Sequence, residues 1–200
     1  MSYRRSDNIA PVLGIIIVCF LVFIATKIAG ISGYNLVALL GLTTDTIIQQ
    51  PWTIVTNLFV HADIWHILFN MITLYFFGTF LVRLIGTRDF LIIYFLGGIV
   101  GNVFFMLFAR FIDQRLLYVT VIGASGAIFA LGGALALITP RLRVFVFPIP
   151  VPMPLWAAVI GGFVILGFVG GVAWQGHLGG LVFGLLAGLV LRRRVHTPFA

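Results

Sequence analysis

Four polar side chains lie within apolar stretches of this 200-residue sequence, and their types could support attack of a serine on a carbonyl carbon. Ser125 lies in VIGASGAIFALGG, His177 in GHLGG, and His66 and Asn70 in HADIWHILFN. A serine becomes a nucleophile when a base lies within about 3 Å of its oxygen, and acyl transfer needs hydrogen-bond donors aimed at the developing oxyanion. A serine, a histidine and an Asn/His pair supply that set, and a Ser–His dyad needs no aspartate if other contacts hold the ring.

Each of these residues also has a structural interpretation. A serine among glycines in a membrane span can serve helix packing, and His66 and Asn70, four residues apart on one helix face, could form hydrogen bonds between helices. An ionisable group such as His177 is costly in a membrane and is therefore a functional candidate, with a structural hydrogen bond as an equal alternative. The interpretation as a serine hydrolase depends on the four residues lying at one depth.

Other hydrolytic mechanisms do not fit the residue types. An intramembrane metalloprotease needs His-Glu-x-x-His, but the sequence contains no glutamate, and His61 and His66 are five residues apart. An aspartyl mechanism needs two carboxylates within spans. The aspartates, all in loops or at span ends, are Asp7, Asp45, Asp63, Asp89 and Asp113. GASGA is not interpreted as the Gly-x-Ser-x-Gly elbow of soluble hydrolases, which requires a preceding strand, so serine chemistry without a metal or organic cofactor remains.

The composition indicates an integral membrane protein. The sequence is 62% hydrophobic and 8% charged, with a mean hydropathy of +1.19, which leaves too little polar surface for a soluble domain. The net charge of +7 comes from basic residues grouped at the ends of apolar runs. Such groups are orientation signals rather than a nucleic-acid interface. The single cysteine, Cys19, excludes an internal disulfide.

Apolar runs bounded by charges and prolines predict an all-α membrane protein with six transmembrane helices, since a span needs about 20 apolar residues. The predicted spans are residues 10–29, 63–82, 90–109, 119–138, 154–171 and 175–191. They form one domain, 10–191, between a short N-terminus (1–9) and a basic tail (192–200). The first run exceeds the apolar core of a signal peptide and lacks a cleavage site, so it is interpreted as a retained span. The connector 30–57 should lie in or on the membrane surface, and the proline-rich connector 139–154 cannot be a regular helix.

Basic residues in alternate connections predict the orientation of the chain. Nine of the 12 lie on one side, namely Arg4, Arg5, Arg83, Arg88, Arg141, Arg143, Arg192, Arg193 and Arg194, against Lys27, Arg110 and Arg115 on the other. This asymmetry puts both termini in the cytoplasm, and we expect the membrane to be a prokaryotic plasma membrane. The second, fourth and sixth spans then run inward, and Ser125, six residues into the fourth, lies about 9 Å below its outer end. His66 and Asn70 lie in the first two turns of the second span, and His177 lies in the first turn of the sixth, so all four polar residues are predicted to lie at similar depth.

Small residues predict close packing of the sixth span against the fourth. They are Gly176, Gly180, Gly184 and Gly188 in the sixth, and Gly126, Gly132, Gly133 and Ala136 in the fourth. Such faces let helix backbones approach each other, although similar stripes occur in channels and transporters. In this sequence the small residues would bring the fourth span, which carries Ser125, close to the sixth span, which carries His177.

Three motifs, in this order, resemble those of the rhomboid intramembrane serine proteases in their basic six-span form. HADIWHILFN is similar to the family's His-x4-His-x3-Asn at the top of the second span, GASG to its Gly-x-Ser-Gly in the fourth, and GHLGGLVFG to its His-x-x-Gly-x-x-x-Gly in the sixth. The resemblance extends over nearly the whole chain. It implies a rhomboid-like bundle that cleaves transmembrane segments of membrane-protein substrates near the outer face, with small residues at the scissile bond.

The resemblance also implies roles for individual residues. Ser125 would be the nucleophile and His177 the general base. The backbone N–H of Ser125 and the side chains of Asn70 and His66 would form the oxyanion hole. The supporting residues would be His61 in the cavity lining, Gly123 and Gly126 in the serine turn, Gly180 and Gly184 between the sixth and fourth spans, and Phe129. The Phe129 ring, where the family often has tyrosine, would pack on the His177 imidazole in place of an aspartate.

Two other functions stay open. A non-catalytic rhomboid-like binding factor would keep the fold and the substrate groove without needing Ser125. A small transporter would also use glycine-rich spans, but an internal repeat or acidic residues in spans would be expected, and neither is found. The expected partners are single-span or other membrane-protein substrates and the lipid bilayer, not nucleic acid. One departure from the family is that Trp52 of the first connector is followed by Thr53 rather than arginine.

Overall fold

The computed structural model describes residues 8–146, 149–168 and 171–195, and these ranges are mainly helical. The helices are α1 (Ala10–Ile31), α2 (Leu36–Leu40), α3 (Thr53–Thr56), α4 (Ile64–Ile85), α5 (Thr87–Phe111), α6 (Ser125–Ile138), α7 (Leu155–Gly167) and α8 (Trp174–Leu191). Two short antiparallel pairs join β1 (Leu42–Thr43) to β2 (Thr120–Val121) and β3 (Arg143–Val144) to β4 (Met153–Pro154). Short 3₁₀ helices cover Thr44–Thr46, Asn57–Phe59, Gln114–Tyr118 and Arg192–Arg194.

Four of the described helices, α1, α4, α5 and α8, are long and apolar enough to cross a membrane. Their bounds agree with four of the predicted spans to within about three residues, and the chain is a multi-pass membrane protein. The apolar helices α6 and α7 have only 14 and 13 residues. At about 1.5 Å per residue they are shorter than the roughly 30 Å hydrocarbon core. The count of six spans therefore stays a prediction.

The fourth predicted span, 119–138, is wrong at its beginning, because the helix starts only at Ser125. Residues 120–121 instead form β2 and pair with β1. Gly123 adopts a φ of +116°, which a right-handed helix cannot include. β-Branched residues before it favour an extended chain. The depth of about 9 Å expected for Ser125 assumed a helical rise over residues 119–124 and so does not hold.

The fifth predicted span, 154–171, is also shorter than expected. Helix α7 ends at Gly167, and residues 169–170 lie outside the described ranges. The proline-rich connector before it, in its described part, forms the β3–β4 pair rather than a helix. The first connector, 30–57, contains α2, β1 and α3 and is not a span, as predicted.

Helix α6 lies at the centre of the bundle and contacts α4, α5, α7 and α8. Ala127, Ala130, Leu131 and Ala134 on this helix are fully buried. By contrast, α1 and α7 leave many large apolar side chains exposed, as expected for helices on the lipid-facing side of a membrane bundle. The central position of α6 holds its first residue, Ser125, among other helices, where its side chain is partly buried.

Helices α6 and α8 pack with their backbones in direct contact. A Cβ atom added to Gly180 would overlap the carbonyl oxygen of Gly126, and one added to Gly184 would overlap that of Ala130. The same relation holds one turn later, where a Cβ on Gly188 would come 2.7 Å from the carbonyl oxygen of Ala134. The four-residue glycine spacing therefore sets the register in which α8 lies on α6.

Candidate active site

Ser125 and His177 lie in hydrogen-bond contact although 52 residues separate them in the chain. The Nε2 atom of His177 is 2.7 Å from the Oγ atom of Ser125. Ser125 is the first residue of α6, and His177 lies in the first turn of α8 with its side chain buried. The close contact of the two helices below this point brings the two first turns together, and the distance suits proton transfer from the hydroxyl to the imidazole.

The position of Ser125 at a helix N-terminus leaves its main-chain N–H without a partner inside the helix. The turn before it depends on Gly123, whose positive φ favours glycine. A Cβ atom at this position would also lie 2.7 Å from the Nε2 atom of His66. Gly123 therefore allows the serine turn and the His66 ring to approach each other.

One side chain of α4, the His66 imidazole, lies beside the same turn, and Asn70 follows it one turn later in the helix. The main-chain N–H of Ala62 donates to Nδ1 of His66 across 3.4 Å, which assigns the ring proton to Nε2, the atom beside Gly123. The Asn70 amide donates one N–H to the carbonyl oxygen of His66 at 2.7 Å. Because an amide nitrogen has two N–H groups, the second can serve another acceptor.

The segment before α4 holds His66 in place. Asp63 caps the helix, and its carboxylate accepts the main-chain N–H of His66 at 2.9 Å, which lowers the pKa of Asp63. The Lys27 ammonium at the end of α1 donates to the carbonyl oxygen of Ala62 at 2.7 Å. Residue 62 thus contacts both α1 and the His66 ring.

His61 does not contact Ser125 but lies behind His66. The two imidazoles meet nearly edge to face, with ring centroids 5.0 Å apart. The Nδ1 atom of His61 is 3.3 Å from the carbonyl oxygen of Phe59. Burial, followed by the repulsion that a protonated His66 would exert, lowers the pKa of His61 to about 4, so its imidazole is neutral at physiological pH.

The His177 imidazole is held by aromatic packing. The Phe129 ring lies 4.8 Å from it at an interplanar angle of 33°, and Phe163 packs edge-on against Phe129 at 5.9 Å. Within the described residues, Nδ1 of His177 has no hydrogen-bond partner. Phe129 therefore packs on the face of the His177 ring, whereas the carboxylate of a Ser-His-Asp triad bonds to the Nδ1 atom.

We expect Phe129→Leu to lower the rate at which a fluorophosphonate labels Ser125 by roughly 2- to 10-fold, because an aromatic pair contributes about 0.5–1.5 kcal/mol beyond burial. Phe129→Tyr keeps the ring and should retain most of the rate. The measurement is the second-order labelling rate of the purified variants in detergent. A Phe129→Leu protein that folds and labels as fast as the wild type would contradict a role for the ring.

Two further buried residues near the serine turn, Asn57 and Asn102, were missed by the sequence analysis. Their amides bond to each other, and the main-chain oxygen of Asn57 accepts the N–H of Gly123. Asn102 lies inside the predicted span 90–109, and an amide in such a span was the available signal. Among the described residues, no group of three or more His, Cys, Asp or Glu side chains could hold a metal ion.

Comparison with known proteins identifies the family. Residues 48–194 match the family model described as Rhomboid domain. Rhomboid protease GluP of Bacillus subtilis is 30% identical over 156 residues, which cover 76% of this chain and 28% of that protein. Rhomboid protein 1, mitochondrial, of Saccharomyces cerevisiae is 30% identical over 158 residues, which cover 72% of this chain and 42% of that protein. Inactive RHOMBOID-like protein 8 of Arabidopsis thaliana is 32% identical over 87 residues, which cover 44% of this chain and 23% of that protein. The chain spans less than half the length of these relatives. Because the family model covers well over half of the chain, this membrane protein belongs to the rhomboid family.

Proposed function

We propose that this chain is an intramembrane serine endopeptidase that cleaves transmembrane segments of other membrane proteins. The observation that carries the proposal is the 2.7 Å contact between Nε2 of His177 and Oγ of Ser125. A histidine nitrogen at this distance can accept the hydroxyl proton as the serine oxygen attacks a peptide carbonyl. The relatives named as rhomboid proteases support the same reaction class.

The reaction begins with His177 neutral. Its Nε2 takes the proton of Ser125 as Oγ bonds to the carbonyl carbon, and the carbonyl oxygen becomes an oxyanion. His177 then protonates the leaving amine as the peptide bond breaks, which leaves an acyl-serine. A water molecule, deprotonated by His177, attacks the acyl group and restores both side chains.

The oxyanion hole consists of the main-chain N–H of Ser125 with the side chains of His66 and Asn70. Three features support this assignment: the free N–H at the start of α6, the proton on Nε2 of His66 beside Gly123, and the second N–H of the Asn70 amide. These groups are neutral donors that stabilise a developing negative charge without adding a fixed charge to the membrane interior. The proposal also includes a water-containing cavity behind these groups, with the neutral His61 in its lining.

The membrane arrangement belongs to the same proposal. The domain, 10–191, crosses a prokaryotic plasma membrane six times with both termini in the cytoplasm, and α6 and α7 are its two short spans. The active residues then lie towards the outer face. Because a helical substrate hides its peptide bonds, we expect substrates whose spans contain helix-weakening residues near that face.

The direct test uses the wild-type protein in detergent. It is incubated with a fluorescent single-span protein that contains helix-weakening residues at one end of its span, and separately with a fluorophosphonate, which reacts with an activated serine. We expect cleavage within the span, and label on the peptide that contains Ser125. The three other serines, Ser2, Ser6 and Ser32, are internal controls for non-specific reaction.

The two readouts separate the possible outcomes. Label on Ser125 together with cleavage supports the protease. Label without cleavage shows an activated serine and directs the search to other substrate sequences. A folded protein that neither cleaves nor takes the label contradicts the proposal, and the non-catalytic binding factor then becomes the better interpretation.

A further inference from the structure

Two buried amides form a reciprocal pair next to the serine turn. The Nδ2 of Asn57 donates to Oδ1 of Asn102 at 3.0 Å, and the Nδ2 of Asn102 donates back to Oδ1 of Asn57 at 2.9 Å. Asn102 also donates to the carbonyl oxygen of Ile54 at 2.8 Å. The exposed fraction is 0% for Asn57 and 5% for Asn102. The pair thus joins the 54–57 segment of the first connector to the middle of α5.

The main chain of Asn57 continues this connection to the nucleophile. Its carbonyl oxygen accepts the N–H of Gly123 at 2.9 Å. Gly123 has a positive φ, lies beside His66 and precedes Ser125 by two residues. A displacement of Asn57 would therefore move the turn from which the Ser125 side chain projects.

Gly101, which directly precedes Asn102 in α5, contacts the part of the site that contains His177. A Cβ atom added to Gly101 would lie 2.5 Å from the carbonyl oxygen of Gly176, so α5 and α8 touch through their backbones there. Gly176 directly precedes His177. One turn of α5 thus contacts the histidine side through Gly101 and the serine side through Asn102 and Asn57.

We propose that Asn102, through Asn57, is a positioning residue that sets the distance between Ser125 and His177. This inference rests on the proposed protease function. Neither amide touches the reacting atoms, and both act by holding the Gly123 turn in register with the start of α8. The reciprocal hydrogen bonds are directional, so they specify a position as well as a contact.

The effect of the two amides on folding stability can be measured separately from their effect on the position of the serine turn. Removing one amide leaves its buried partner unsatisfied, which is destabilising, whereas replacing both with apolar groups of similar shape can be nearly neutral. The apolar double variant should therefore recover most of the folding stability, apart from the share of the lost bond from Asn102 to the Ile54 carbonyl oxygen, without recovering the directional bonds. Leucine is close to asparagine in shape and suits this comparison.

The experiment compares Asn102→Leu, Asn57→Leu and the double variant with Thr139→Val. Thr139 is a matched control because it is a buried polar residue at the opposite end of α6, whose hydroxyl donates only to the carbonyl oxygen of Leu135. The measurements are the thermal unfolding midpoint, the fluorophosphonate labelling rate of Ser125, and kcat and KM with the single-span substrate. A displacement of about 1 Å can lower a rate by up to about 100-fold.

We expect both single variants to lose stability and to label roughly 10- to 100-fold more slowly. The double variant should regain most of the unfolding midpoint while its labelling rate and kcat stay at least about 10-fold low, with KM within about 2-fold of the wild type. Thr139→Val should lose stability without a change in labelling. A double variant that labels at the wild-type rate, or labelling that follows stability alone in all four proteins, would overturn the inference.

A second readout keeps this test distinct from that of the protease itself. If the wild type neither labels nor cleaves, the proposed function fails, and hydrogen exchange then decides the positioning role. Asn102→Leu should raise amide exchange in residues 121–125 well above the change seen with Thr139→Val. Equal exchange in the two variants would show that the amide pair does not hold the serine turn.

Discussion

Ser125→Ala and His177→Ala are each expected to lower kcat by about 10,000-fold or more, and the double variant should lose no more than either single one. The reason is that a serine hydroxyl is a weak nucleophile unless its proton is accepted during attack, and Nε2 of His177 is the atom in contact with Oγ of Ser125. Once either group is absent, the other has no remaining role in the chemical step. The losses in kcat of the two single variants therefore do not multiply in the double variant.

The measurement is kcat for cleavage of the single-span substrate, together with fluorophosphonate labelling of the single variants. Ser32→Ala is the matched control, because Ser32 is exposed at the end of α1 and its hydroxyl donates only to a carbonyl one turn back. That variant should cleave at the wild-type rate. Losses that multiply in the double variant would indicate that Ser125 and His177 act in independent steps, and cleavage by Ser125→Ala would contradict the nucleophile assignment.

Gly184→Val should prevent the two central helices from packing. A Cβ atom at this position falls on the main-chain carbonyl oxygen of Ala130, and a backbone atom cannot rotate out of the way as a side chain can. The helices would have to separate, at a cost on the order of 3 kcal/mol. Because Ser125 and His177 project from the first turns of these helices, separation should also break their contact.

The thermal unfolding midpoint and the labelling rate of Ser125 test this expectation. Gly14→Val is the matched control, since it makes the same change inside helix α1, where no atom beyond the adjacent backbone of that helix lies within 4 Å of the added Cβ. Gly184→Ala should show an intermediate loss. A Gly184→Val protein with a wild-type midpoint and labelling rate would contradict the close packing of α8 on α6.

The composition and the local pattern of residues determined the class of this protein. Long apolar runs and sparse charge predicted a multi-pass helical membrane protein, because the bilayer selects segments by their hydrophobicity and length. The glycine spacing of four predicted close packing of the sixth span against the fourth, since residues four apart lie on one face of a helix. The motifs around His66, Ser125 and His177 identified which polar residues to examine and indicated the family.

Tertiary structure decided what connects residues far apart in the chain. The start of α6 at Ser125 follows from the φ of Gly123 and the pairing of β2 with β1, about 80 residues away, so the apolar pattern alone extended this span too far. The Asn57–Asn102 pair joins residues 45 positions apart, and hydrophobic periodicity carries no information about such a partner. The distance between Ser125 and His177 depends on helices packed against a third, α5. Local propensity is a property of neighbouring residues, whereas the distance between side chains on two different helices is a property of the packed bundle.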